Sequence, residues 1–138
     1  MKIPKDQIRA YIPQTDPFVM VDNLLYADGR DIRSDFFIQA DNIFVDNNEL
    51  SELALIENIA QSGAAGLSVI KYGESGKIEG FLGGIKNLKL YKRPAILETI
   101  ETHLQILAEL GNMFRLRGQC YHGDERLIEC EITVVRVS

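Results

Sequence analysis

Basic residues are too few and too scattered here for one large class of function. The chain has 15 Lys and Arg against 20 Asp and Glu in 138 residues, a formal net charge of -5, with no basic block. Phosphate binding needs clustered Lys and Arg, so nucleic acid is not expected as a partner. Cysteine is equally scarce. Cys120 and Cys130 do not make a disulfide framework, and with the two histidines, His103 and His122, they do not give metal-ligand spacing. Buried free thiols in a reducing compartment are expected instead. No charged-then-apolar segment opens the chain, which argues for a cytoplasmic location over secretion. Repeats, linkers and low-complexity stretches are also missing. One domain over residues 1–138 is therefore expected, with a single core.

What the chain does have is one long apolar run. Leu50–Tyr72 reads as a helix, with Asn47, Asn48 and Ser51 as N-cap candidates, Glu49 and Glu52 near its first turn, and Gly73 as a stop. Glu57, Asn58 and Gln61 near its middle make membrane insertion expensive, so a buried core helix is the better reading. Ala60, Ser62, Gly63, Ala64, Ala65 and Gly66 are small enough to let a sheet approach closely. Glu57 and Gln61 lie four apart on one face. A carboxylate in apolar surroundings is costly unless partnered, which marks Glu57 as a candidate functional group. The competing reading is a satisfied polar pair at a subunit boundary.

Around that helix the sequence alternates. A short helical lead-in over residues 1–11 offers Ile3, Ile8 and Tyr11 as an apolar edge. Ile12–Phe18 is rich in turn signals. Strands are expected at Val19–Tyr26 and Asp31–Gln39, joined by an Asp28-Gly29 hairpin turn. Ala40–Asn48 is a polar loop containing Ile43, Phe44 and Val45, leading into the helix. Gly73–Gly76 reads as a flexible connection, and strands are expected at Ile78–Tyr91, Leu97–Leu110, Asn112–His122 and Arg126–Val137. In the last hairpin an odd-length loop such as Gly123-Asp124-Glu125 would bring both apolar sets to one face, with Cys120 facing Ile128 and Cys130 facing Gly118. Gly80, Gly83 and Gly84 mark a bulge or a close approach by ligand or backbone. The order predicts an α+β fold, a curved antiparallel sheet wrapped around one long helix.

Three stretches carry a resemblance. Ile12-Pro13-Gln14-Thr15-Asp16-Pro17-Phe18-Val19-Met20-Val21-Asp22 resembles a Leu-Pro-His-Arg-Tyr-Pro-Phe-Leu-Leu-Val-Asp opening; Leu55–Gln61 resembles an Ile-Ile-Glu-Ala-Met-Ala-Gln helix; and Phe81–Pro94 resembles a strand ending in Arg-Pro-Val. Together, and in this order, they resemble the hot-dog fold and, within it, the beta-hydroxyacyl-[acyl-carrier-protein] dehydratase family of fatty acid synthesis. Departures accompany the likeness. The family's Gly-His-Phe-Pro-Gly before the helix is missing: its histidine position falls on Ile43, or with a short gap on Asp46 or Asn47. Gln14 stands in place of the opening histidine, and Ile96-Leu97-Glu98 lies near the place of the family's Pro-Gly-Asp.

The resemblance implies an acyl-thioester site, of the 3-hydroxyacyl or enoyl type, in which Glu57 is the acid and Gln61 orients it. Phe18, Phe44, Val45, Gly83 and Gly84 are expected to contact the acyl group. A base is missing; His103, on a polar strand face, His122, beside a turn, and Asp46, in the right loop, are the alternatives. Three functions stay open. The chain is a dehydratase with altered chemistry; or a subunit that pairs with a histidine-bearing homologue, as resembles mixed pairs in aryl-polyene-type pigment synthesis; or a hot-dog thioesterase, which needs no histidine. The expected partners are an acyl carrier protein or coenzyme A thioester, with Lys86, Lys89, Lys92 and Arg93 as the basic residues for a carrier. A second hot-dog chain is also expected, identical or homologous, in a dimer or larger assembly. No metal, cofactor or membrane is expected.

Overall fold

The computed structural model describes residues 2–73 and 77–137; of the connection expected at Gly73–Gly76, residues 74–76 lie outside them. The elements are β1 (Asn23–Asp28), β2 (Asp31–Phe37), β3 (Val45–Asp46), β4 (Glu49–Leu50), α1 (Glu52–Tyr72), β5 (Gly80–Leu90), β6 (Thr99–Leu110), β7 (Met113–His122) and β8 (Glu125–Arg136), with a 3-10 turn at Ile8–Tyr11 ahead of them. The six long strands form one antiparallel sheet in the order β1-β2-β6-β7-β8-β5. α1 packs on one face of it, touching β1, β2, β6, β7 and β8. This is the hot-dog architecture.

Helix ends follow the residues that can satisfy them. Ser51 caps α1, its hydroxyl accepting from the Ala54 N–H at 3.3 Å, and Gly73 closes it with φ +61°, its N–H donating to the Val69 carbonyl. Asn47 and Asn48 are not caps. They take positive φ, 52° and 63°, as the two-residue turn of the small β3–β4 hairpin inside the stretch read as loop. α1 is long and apolar enough to cross a membrane by length and composition, yet 67% of that window is buried within the fold, which makes it the core helix.

Glycines set the distance between helix and sheet. A Cβ on Gly66 would sit 2.5 Å from Ile32 of β2, and one on Gly118 of β7 would sit 2.6 Å from Ile59 of α1. Alternation then fills the core. Ile100, Thr102, Leu104 and Ile106 of β6 face Leu116, Gly118 and Cys120 of β7 and Ile128, Cys130 and Ile132 of β8, all on the helix side. Beyond Ile106 a bulge shifts the register, and Leu110, expected on this face, is 71% exposed.

The cysteines pair as expected, Cys120 with Ile128 and Cys130 with Gly118, and both are free thiols. The odd residue comes from elsewhere, however. His122 pairs with Glu125 across a two-residue Gly123-Asp124 turn, and a bulge between Cys120 and Tyr121 corrects the phase. Burial pushes the Cys120 thiol up to about 12 and Cys130 up to about 11.

The first strand starts later than expected. Val19–Asp22 lies outside β1; the Asp22 N–H donates to the Asp35 carbonyl of β2, and helix side chains take the backbone groups of Met20. That exchange builds the site.

Candidate active site

Gln61 is fully buried on α1 and uses both ends of its amide. Its Oε1 accepts from the Met20 N–H at 2.7 Å; its Nε2 donates to the Phe18 carbonyl at 2.9 Å and to Glu57 Oε2 at 3.0 Å. Asn58, one residue past Glu57, donates from Nδ2 to the Met20 carbonyl at 2.7 Å and accepts from the Thr102 hydroxyl. Both backbone groups of Met20 are thus held by one turn of helix. Asn58 and Gln61, which looked out of place in an apolar run, are satisfied and clamp the N-terminal segment.

Glu57 is held by this clamp at the wall of a cavity of about 220 Å³. The rest of the wall is Pro13, Gln14, Ala60, Ala64, Ile78, Gly80, Phe81, Leu82 and Val134. It is an apolar slot with two polar side chains, Glu57 and Gln14. Glu57 Oε2 is taken by Gln61, and among the described residues Oε1 has no hydrogen-bond partner. The Oε1 of Gln14 is buried with no hydrogen-bond partner.

The other expected site residues lie apart from this slot. Phe18 gives its carbonyl to Gln61 but leaves its ring 51% exposed, 6.4 Å centroid to centroid from Phe44. Val45 pairs with Leu50 in the β3–β4 hairpin, and it and Phe44 pack partly against the core. Gly83 is the extra residue of a bulge in β5: a Cβ there would meet the Val135 side chain at 2.7 Å, whereas one on Gly84 would meet nothing within 4 Å. The close approach accounts for glycine at Gly83, nothing in the structure requires it at Gly84, and Gly80 borders the slot. Gly80 could not carry a side chain, since its Cβ would come within 2.4 Å of the Val135 carbonyl oxygen.

Among the described residues, no histidine lines the slot with Glu57. His103 bonds to Glu101 through Nε2 at 2.9 Å and lies 5.2 Å from the Tyr121 ring on the outer face of the sheet. His122 pairs with Glu98 at 3.3 Å. Asp46 is exposed in the β3–β4 hairpin. Arg93 fastens that hairpin, its guanidinium donating to the carbonyls of Leu50, Glu49 and Asp46. Among the described residues no group of three or more His, Cys, Asp and Glu side chains could hold a metal ion.

Sequence reasoning missed Gln14, Ala60 and Ala64 as neighbours of Glu57, whereas Gly80 was among the glycines expected to mark a close approach. Ala60 and Ala64 carried a usable signal, since they recur at helical spacing from Glu57. Gln14 carried one too, as the polar residue in place of a motif histidine.

Fold and site together define a hot-dog protein of the dehydratase type, with a glutamate presented from the central helix to an apolar slot. The chain belongs to the ApeP-like family: the family model described as ApeP dehydratase matches residues 6–138. Searching curated proteins gives no match. Among solved structures, a chain of the dehydratase heterocomplex ApeI:P from Xenorhabdus doucetiae superimposes with a TM-score of 0.85 at 14% identity, over 99% of this chain and 92% of that one. A homologue of HP0420 from Helicobacter felis gives 0.74 at 8% identity, over 96% and 89%. A hypothetical thioesterase with coenzyme A from Streptococcus pneumoniae gives 0.67 at 6% identity, over 83% and 87%. At these identities the likeness to solved structures establishes the fold.

Proposed function

We propose that this chain is an acyl-thioester subunit of a two-chain dehydratase, supplying Glu57 and Gln61 to a site that a homologous hot-dog chain completes with a base. The observation that carries the reading is Glu57, fixed by a buried amide at the wall of an apolar slot that holds no histidine among the described residues. Loss of water from a 3-hydroxyacyl thioester needs a base for the α proton and an acid for the departing hydroxyl. Glu57 fits the second role. The family and the heterocomplex of its structural relative support a second chain as the source of the base. Phe18, Phe44 and Val45, set ahead of α1, are proposed to border the entrance for the thioester.

Either carrier chemistry remains compatible with the site. Of the basic residues expected to meet an acidic carrier protein, Lys86 faces Glu131 at 3.6 Å, Lys92 faces Glu125 at 3.2 Å and Arg93 faces Glu49 at 3.8 Å. Those pairs mute the patch. Proposed here too are an assembly of at least two chains and a cytoplasmic location.

The test offers the purified protein 3-hydroxyacyl, enoyl and saturated acyl thioesters, alone and with a histidine-bearing homologue from the same genome. Hydration or dehydration that appears only in the mixture is the expected result. Glu57→Gln should lower that rate by about 10²–10⁴-fold, the worth of a positioned acid. Free thiol released by the chain alone would instead make it a thioesterase. Full activity of the mixture with Glu57→Gln would remove the proposed role.

A further inference from the structure

We infer that the outer face of the sheet carries a contact surface of its own, an apolar stripe on which a second copy of this chain packs about a two-fold axis. That face is otherwise polar: Arg33, His103, Gln119 and Glu129 stand side by side across four strands. At the end of the sheet nearest the β6–β7 turn the pattern changes. Leu110 pairs with Met113, Met113 with Val135 and Val135 with Phe81, one residue from each of β6, β7, β8 and β5. Phe114 and Val134, their chain neighbours, are buried in the core, so alternation turns Met113 and Val135 outward and their partners with them. Val137 extends the patch beyond Val135. Leu110, Met113, Phe81 and Val137 are exposed by between 44% and 71%. With strands about 4.8 Å apart, the stripe is roughly 14 Å long. An apolar patch with a polar rim marks an interaction site.

The charges on either side of the stripe point to what covers it. Arg115 lies on the β7 side of β8, in register with Thr133. Glu79 lies on the β5 side, where its carbonyl accepts from the Val137 N–H. Val135 is midway between them. Among the described residues, neither the Arg115 nor the Glu79 side chain has a hydrogen-bond or ion-pair partner. A two-fold axis over Val135, parallel to the sheet and perpendicular to the line from Arg115 to Glu79, brings Arg115 of each copy to Glu79 of the other. The two stripes then cross at Val135 and exclude water. The surface is complementary to itself, as an isologous contact requires, and a partner of different sequence would need no such balance of free charges. The stripe is smaller than a standard interface, so the contact is weak, with a dissociation constant on the order of 10⁻⁴ M, and is open at low micromolar concentration.

Sedimentation velocity on the protein in the assembly in which it purifies, from about 10 μM to about 1 mM, reads this contact. The mass should double across that range. Met113→Lys puts a charge into the stripe and should hold the mass at its low-concentration value throughout. Arg115→Glu and Glu79→Arg should each weaken the association by about tenfold or more, because each sets like charges together across the axis. The double reversal should restore it, which a loss of folding or a general change in net charge would not do. A mass independent of concentration would overturn the inference. So would association indifferent to Met113→Lys or to the single reversals, or one that fails to return in the double reversal. None of the three positions lines the Glu57 slot, so the result is read independently of the acyl site.

Discussion

Gln61 serves three groups that could not otherwise be served. Replacing it with Leu keeps much of the volume but strands the buried Met20 N–H, leaves the part-buried Phe18 carbonyl without its partner, and frees Glu57. A stranded buried group costs about 1–3 kcal/mol and a part-buried one less, so Gln61→Leu should lose about 2–4 kcal/mol of stability in urea denaturation. It should also lose most of any activity that depends on Glu57. The pair Glu57–Gln61 was legible in the sequence because helical spacing alone makes it a pair. Gln14 was not legible as its neighbour, because it reaches the slot through tertiary packing. Leu97 shows the opposite relation. It takes φ +68° and is 64% exposed, close to where the family motif carries glycine. A left-handed conformation costs a bulky residue about 1–2 kcal/mol, a strain that glycine would not carry here.

Elements add constraints that single residues do not show. α1 meets β2 through Gly66, and a methyl there would overlap three atoms of Ile32 at 2.5–2.6 Å, too many for one rotamer change to clear. Gly66→Ala should therefore destabilise by about 1–2 kcal/mol, overpacking exceeding the gain in helix propensity of up to about 1 kcal/mol. Thermal denaturation checks the sign, which helix propensity alone would predict reversed. On the outer face, Glu129 of β8 ties three strands together. Tyr91, just past β5, donates to it, as do Gln119 and Arg117 of β7, and Arg126 lies close by; these bonds hold its carboxyl down at about 2. A depressed carboxylate contributes stability above its unfolded value of about 4.3, and that stability is lost as pH falls through the folded value. Denaturation midpoints should therefore drop between about pH 4.3 and pH 2, and more gently in Glu129→Gln, which should be less stable than the native chain at pH 7. The helix, the long strands in chain order and the turns that join β1 to β2 and β7 to β8 were readable from periodicity and turn residues; the order of strands in the sheet and the β3–β4 hairpin were not. Nor were most bulges: glycine marked the one at Gly83, but those after Leu24, Lys86, Ile106 and Cys120 each add residues that alternation cannot announce.

At the scale of the whole molecule, the sheet has two edges that are treated differently. β1 is partly covered, with Ile3 bridging to Leu24. β5 is left open, and Phe81, Ile85, Leu88 and Leu90 are exposed along it, Phe81 by 55%. An apolar edge of this length invites another strand, and its two bulges, with Asn87 at φ +56°, limit which strand can follow its path. The same strand begins at the slot, where Gly80, Phe81 and Leu82 stand opposite Glu57. A chain docking along β5 would therefore reach the place where the missing base is needed, so assembly and chemistry would share one element. Ile85→Lys puts a charge into that edge and leaves the slot walls unaltered. It should convert the assembled protein to single chains in light scattering with an unchanged circular dichroism spectrum, and abolish activity that depends on a second chain. If the variant stays assembled, the joint lies elsewhere, and a base delivered along β5 would have to be given up.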